Sequence, residues 1–105
     1  MEKRHTLVFD KVMIKQLKRA AKNNQVKEIL TKMLDGIEEF GPDAGELLDS
    51  QLSIYEVKNM RPPIRLYYQH SKASNEIKVF EYEMKTGAEK QQNTIEKIKK
   101  KLLKS

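Results

Sequence analysis

Residues 54–68, reading IYEVKNMRPPIRLYY, constrain the fold more than any other stretch of the chain. Two β-prone runs flank Arg61, Pro62 and Pro63. Proline has no amide to give to a ladder, so this tip must be unpaired or lie on an edge. The two runs therefore read as short antiparallel strands joined at a proline-bearing turn. Side chains alternate along a strand. Val57, Leu66 and Tyr68 are thus expected to face a core, and Lys58, Arg65 and Tyr67 to face the opposite way. With Arg61 near the turn, three cations and an aromatic gather on what reads as the open face of a small sheet. Such a face suits a phosphate-rich ligand.

The preceding residues read as packing for this hairpin. Residues 5–9 form a short β-prone run with Leu7 and Phe9 on one face and Val8 on the other. Asp10 follows at a helix-cap position, where a carboxylate accepts from the free amides of the first turn. In residues 11–22, Ile14, Leu17 and Ala21 recur at helical spacing, with the lysines and Arg19 outward. Asn23 and Asn24 break that helix. Residues 25–40 carry a continuous apolar stripe of Val26, Ile29, Leu30, Met33, Leu34 and Ile37. Gly41 and Pro42 end it. So short a break between two helices predicts an antiparallel helical hairpin.

Residues 42–51 read as a loop containing one helical turn around Leu47 and Leu48, and Leu52 opens the sheet region. After the hairpin, residues 71–75 form a polar turn and residues 76–84 a last strand. In that strand Ile77 and Val79 face one way, Phe80 and Tyr82 the other. Thr86 to Glu89 has the form of a capping box, and a helix start there or nearer Asn93 fits equally. Ile95, Ile98 and Leu102 form its inward stripe. Lys97, Lys99, Lys100, Lys101 and Lys104 crowd the rest, as a solvated face or as contacts to RNA. The expected fold is one α+β domain over residues 1–105: a strand, a two-helix hairpin, a three-stranded antiparallel meander and a C-terminal helix. The helices are expected on one face.

A formal charge of +6 and a pI near 9.5 favour polyanionic partners. Nucleic acid comes first, then an anionic membrane or an acidic protein. The absence of cysteine removes disulfides, thiol nucleophiles and thiolate metal sites. No run approaches the roughly 20 apolar residues of a membrane helix, and the first residues hold no apolar run of signal-peptide length. A bacterial or phage cytoplasmic protein is the expectation. His5 and His70 have no metal-ligand spacing, and His70 reads as an exposed loop histidine. There is no Gly-rich phosphate loop or nucleophile triad, so neither metal nor cofactor is implied. Glu81 and Glu83, two apart, read as ion-pair partners for Lys58, Arg65 or Lys78.

Three segments carry a family resemblance. Leu47-Leu48 is followed by Leu52-Ser-Ile-Tyr-Glu-Val-Lys58, then by Pro63-Ile-Arg65-Leu-Tyr-Tyr68. Val79-Phe80-Glu-Tyr82-Glu-Met-Lys85-Thr86 then leads into the lysine-rich helix. Together they resemble the RelE/ParE superfamily of toxins from type II toxin–antitoxin modules, in particular its phage-type and HigB-like members. The resemblance implies a metal-independent, ribosome-dependent mRNA endoribonuclease, silenced by a cognate antitoxin from the adjacent gene. Other members of the superfamily poison DNA gyrase.

Metal-free RNA cleavage needs proton transfer at the 2′-hydroxyl and at the leaving oxygen, with stabilisation of the phosphate between them. Arg65 is the candidate phosphate clamp, since guanidinium is planar and always charged; its plainer reading is a surface arginine paired to Glu56 on the neighbouring strand. Lys58 is the candidate for proton transfer, and Lys85 matches the family's basic turn. Arg61 would hold the RNA backbone and Tyr67 would stack on a base. The chain also departs from the family pattern. Lys58 stands where many members carry arginine, Glu81 and Glu83 make the last strand acidic, and Met84 replaces a common lysine. No tyrosine or histidine follows Tyr82. These departures favour the alternative of a gyrase-poisoning or catalytically inactive binding member.

Overall fold

The computed structural model describes residues 5–84 and 87–104. Its elements run β1 (Thr6–Phe9), α1 (Lys11–Ala20), α2 (Asn24–Phe40), a 3₁₀ turn (Gly41–Ala44), β2 (Glu46–Asp49), β3 (Ile54–Asn59), β4 (Ile64–Ser71), β5 (Glu76–Met84) and α3 (Ala88–Lys104). The sheet has five strands in the order β1-β5-β4-β3-β2. β1 joins β5 in parallel, and every other pair is antiparallel. The α+β order expected from the sequence holds.

Local chemistry sets the helical hairpin. Asp10 accepts from the Val12 amide at the start of α1, and Asn23 accepts from the Val26 amide at the start of α2. Gly41 ends α2 at φ +57°, a conformation in which glycine is unstrained. It also admits the His5 ring, because a Cβ there would lie 2.3 Å from His5 Nε2. Val26, Leu30, Met33 and Ile37 are buried, as the stripe on α2 predicts. In α1 the buried residues are Met13 and Ala20, while Ile14 is exposed. The inward stripe is therefore rotated by one residue from the expected Ile14, Leu17 and Ala21. Rotation brings Gln16 to the edge of β5, where its amide both donates to the Tyr82 carbonyl and accepts from the Tyr82 amide, each at 2.9 Å.

Three further expectations are corrected. The segment expected as a loop around Leu47 and Leu48 is the edge strand β2, whose Leu47 opposes Tyr55 of β3. The helices lie on both faces of the sheet rather than one. α1 and α2 cover a core that includes Ile64, Leu66, Tyr68, Ile77 and Val79. α3 covers a second cluster of Ile54, Tyr67, Phe80, Ile95 and Ile98. Finally, β5 does not alternate throughout. Tyr67 opposes Glu81 while Tyr68 opposes Val79, so Phe80 is an extra, bulged residue. Phe80 packs under α3, and Tyr82 returns to the face of the helical hairpin.

His70 lies in β4 rather than in a loop. It is half-buried, and its ring meets His5 edge-on with centroids 5.4 Å apart. Among the described residues its Nε2 has no hydrogen-bond partner. Tyr68 is fully buried, stacks on Tyr55, and donates to the Gly41 carbonyl at 2.9 Å. Tyr68→Phe leaves that carbonyl unpaired and is expected to cost about 1–2 kcal/mol. Gly41→Ala is expected to cost more, through both its positive φ and the His5 ring. Urea unfolding followed by circular dichroism measures both.

Candidate functional site

The β3–β4 hairpin holds the cations that the sequence singled out. Lys58 and Arg65 are directly opposed across the two strands. Both point to the face that α3 covers, as strand alternation requires. Their side chains keep 45% and 26% of their surface in solvent. Arg61 is exposed at the hairpin tip, four residues before Arg65. Lys85, the fourth candidate cation, lies outside the described residues.

The face is not open. Tyr67 points to it as alternation requires, yet it is fully buried beneath α3. Its hydroxyl donates to Glu83 Oε2 at 2.8 Å. Tyr67 therefore has no ring face to offer a base, and the stacking role expected for it is withdrawn. The terminal helix, 17 residues long, carries its Ile95 and Ile98 onto the sheet and covers this tyrosine.

Nor is the face purely basic. Glu56, two residues before Lys58 on the same strand face, is 2% exposed. Arg65 Nη1 donates to both Glu56 oxygens at 3.0 Å, Lys58 Nζ lies 3.8 Å away, and the Gln91 amide donates from α3. Glu83 opposes Arg65 from β5 and accepts from the Tyr67 and Thr94 hydroxyls. Glu81 pairs with Lys97 of α3 at 2.9 Å, while its other oxygen is buried without a partner among the described residues. The expected pairing of Glu81 and Glu83 with Lys58, Arg65 or Lys78 is thus replaced. Glu81 takes a lysine of α3, Glu83 takes two hydroxyls, and Arg65 takes Glu56. Within the set Lys58, Arg65, Glu56 and Glu83 the formal charges cancel.

A buried carboxylate is tolerated only when its oxygens find donors. α3 supplies many of them, which explains why a lysine-rich helix lies on an acidic face. Lys99 reaches Asp49 of β2 at 3.1 Å and Lys101 reaches Asp10 at 3.0 Å. Three of the lysines expected to be solvated or RNA-facing are thereby turned to carboxylates of the body. Beside this network runs a polar cleft of about 430 Å³, bounded by Arg19 and Gln16 of α1, Glu81 and Glu83 of β5, and Lys90 and Lys97 of α3. No group of three or more His, Cys, Asp or Glu that could hold a metal ion occurs among the described residues.

Sequence reasoning overlooked Gln91 and Thr94 altogether and saw Glu56 only as a partner of Arg65. Glu56 was legible, because its two-residue spacing from Lys58 puts both on one face. Gln91 and Thr94 carry no such signal, since their role depends on where α3 docks.

Comparison with solved structures places this arrangement among known folds. No protein-family model and no curated protein matches the chain. The isolated RelE toxin of Escherichia coli superposes with a TM-score of 0.66 at 22% identity, over 90% of this chain and 98% of that one. The chain has the RelE fold. The intact E. coli RelBE toxin–antitoxin complex matches with a TM-score of 0.64 at 23% identity, covering 79% of this chain and 99% of that one. The RelBE2 toxin–antitoxin complex of Mycobacterium tuberculosis matches with a TM-score of 0.63 at 10% identity, covering 80% and 94%. The RelE fold here thus carries Lys58 and Arg65 on its central hairpin, with carboxylates set between and beside them. No described helix is long and apolar enough to cross a membrane.

Burial pushes the Tyr67 hydroxyl well above the ordinary tyrosine pKa of 10.0, and the neighbouring Glu83 carboxylate adds to the shift. Burial likewise raises Tyr68 from 10.0. A raised folded-state pKa contributes stability that is complete below the unfolded value and declines as pH climbs from there toward the folded one. Stability is therefore expected to hold up to about pH 10 and to fall above it. Tyr67→Phe should flatten that alkaline decline, as read from urea midpoints between neutral pH and pH 11. An equal decline in both proteins would contradict the assignment to Tyr67.

Proposed function

We propose that this protein is the toxin of a type II toxin–antitoxin module, and that it acts on RNA through the Lys58–Arg65 pair. The observation that carries the reading is that pair itself: two half-exposed cations opposed across the central hairpin of a RelE fold. Arg65, already oriented by Glu56, would hold the scissile phosphate, exchanging one oxygen ligand for another. Lys58, the more exposed of the two, would move a proton at the reacting hydroxyl or leaving oxygen. Arg61 at the tip would contact the backbone, and Lys85, which follows β5 in the sequence, would add charge. Two of the solved relatives are complexes of a toxin with its antitoxin, which supports a cognate antitoxin as the protein partner. The mRNA would be presented on the ribosome, in the cytoplasm, without a metal or cofactor.

A second reading has its own support. Glu56 and Glu83 cancel the charge of Lys58 and Arg65, and Glu56 is bonded to the guanidinium that would have to take the phosphate. A gyrase-poisoning or catalytically inactive member acting through protein contacts would tolerate this neutral face better than a nuclease. Expression of the chain should then induce DNA damage without fragmenting mRNA.

Primer extension on a reporter mRNA, with and without ribosomes, divides the readings. Cuts that appear only with ribosomes are expected. Arg65→Ala should abolish both the cuts and growth arrest, a loss of at least a hundredfold in cleavage if the guanidinium stabilises the transition state. Unchanged cleavage by a folded Arg65→Ala protein rules out the site.

A further inference from the structure

α1 carries a run of basic residues uninterrupted by any carboxylate. Lys11, Lys15, Lys18, Arg19 and Lys22 lie in or just after that helix, with no acidic residue between Lys11 and Lys22. Without these five, the formal charge of +6 falls to +1. All five are exposed, and among the described residues none is in an ion pair. On α3, by contrast, three of the six lysines, Lys97, Lys99 and Lys101, are each held by a carboxylate.

Their spacing makes a line rather than a scatter. Lys11, Lys15, Lys18 and Lys22 follow one another at intervals of four, three and four residues. At 3.6 residues per turn they fall within about 60° of one another around the helix, and they span roughly 16 Å along it. The buried Met13 and Ala20 lie on the opposite side. Neighbouring lysines are about 5–6 Å apart at their Cβ atoms, comparable with the step between successive phosphates along a nucleic-acid strand. Repulsion among them has no internal carboxylate to relieve it, so the stripe gains most from an external polyanion.

We infer that the Lys11–Lys15–Lys18–Lys22 stripe is a second RNA-binding surface, one that docks the phosphate backbone of duplex RNA without reading its sequence. A membrane surface is the poorer fit. The buried side of α1 is turned toward the core, so the helix has a single exposed aliphatic side chain, Ile14, to offer lipid. The choice of RNA over DNA rests on the RNA reading of the Lys58–Arg65 pair, whereas the stripe itself does not.

Binding of the full chain to a fluorescent RNA hairpin, measured by anisotropy from 50 to 300 mM salt, tests the inference. Lys15→Gln/Lys18→Gln alters only exposed side chains. It should weaken binding about tenfold at the lowest salt and flatten the slope of log K against log salt by nearly two. Lys27→Gln/Lys32→Gln, on α2, should change the slope by less than half as much. Equal effects of the two pairs, or no effect of the first, overturn the stripe. Tighter binding to a DNA duplex of the same sequence overturns the choice of RNA. Loss of neutralisation by an acidic antitoxin, with RNA binding intact, would make α1 a protein-docking face instead. Arg65→Ala separates the two sites. Abolished cleavage with an unchanged stripe-dependent slope supports both, and unchanged cleavage removes the active-site reading alone.

Discussion

Phe80 is the residue at which the two faces of the sheet change character. Because it is bulged, β5 presents Ile77 and Val79 to the helical hairpin, then Phe80, Glu81 and Glu83 to α3, while Tyr82 and Met84 return to the hairpin side. If β5 alternated regularly through Phe80, Glu81 and Glu83 would instead face the apolar core packed by α1 and α2. The bulge thus sends two carboxylates to the one face where hydroxyls and lysines can reach them. It also delivers Phe80 to α3, whose Ile95 and Ile98 complete an apolar contact with Ile54 and Tyr67. Full burial of a side chain such as Phe80 or Ile98 contributes about 1.5–3 kcal/mol, enough to hold the helix over a polar neighbourhood.

That neighbourhood is costly unless it is complete. Glu56, Glu81 and Glu83 are each less than a tenth exposed, and an isolated buried carboxylate would cost several kcal/mol. Two of the three are satisfied at both oxygens: Glu56 by Arg65, Lys58 and Gln91, and Glu83 by Tyr67 and Thr94. Glu81 has Lys97 on one oxygen only. Each satisfied carboxylate joins at least two elements, so the polar layer ties α3 to β3, β4 and β5 in one register. Lys99 and Lys101 extend the same logic to β2 and to the start of α1. A helix docked only by apolar contacts could slide; these pairs fix its position along the sheet.

The sequence made some of this legible and hid the rest for physical reasons. The faces of β3 and β4 followed from period-two alternation in two regular strands, and they are as expected: Leu66 and Tyr68 toward the helical hairpin, Lys58, Arg65 and Tyr67 on the opposite face, which α3 covers. Asp10 and Gly41 were readable because capping is local chemistry. The bulge was not readable, since Val79-Phe80-Glu81-Tyr82 alternates plausibly without it and contains no glycine to mark a kink. β2 was missed because Glu46-Leu47-Leu48-Asp49 has no strand signature of its own, and its pairing with β3 supplies the conformation. On α1, stripes through Met13 and through Ile14 are nearly equivalent, and contact with the β5 edge through Gln16 decides between them. The covered face was the largest gap. Where α3 docks depends on partners far away in the chain, and with it the fate of Tyr67.

On the proposed reading, one guanidinium would serve two ends. Arg65 neutralises Glu56, a buried carboxylate, and would also have to take the phosphate. At the effective dielectric of a partly buried site, a pair of charges about 4 Å apart interacts by about 4 kcal/mol, so a phosphate must compete with a partner already in place. Competition of this kind lowers intrinsic affinity for any anion at the hairpin. It would shift the task of recruiting a large polyanion to surfaces whose cations are unengaged, and the stripe on α1 is such a surface. A chain built this way would hold nucleic acid at α1 and demand precise presentation of the phosphate at Arg65. That division suits a scaffolded substrate better than free RNA.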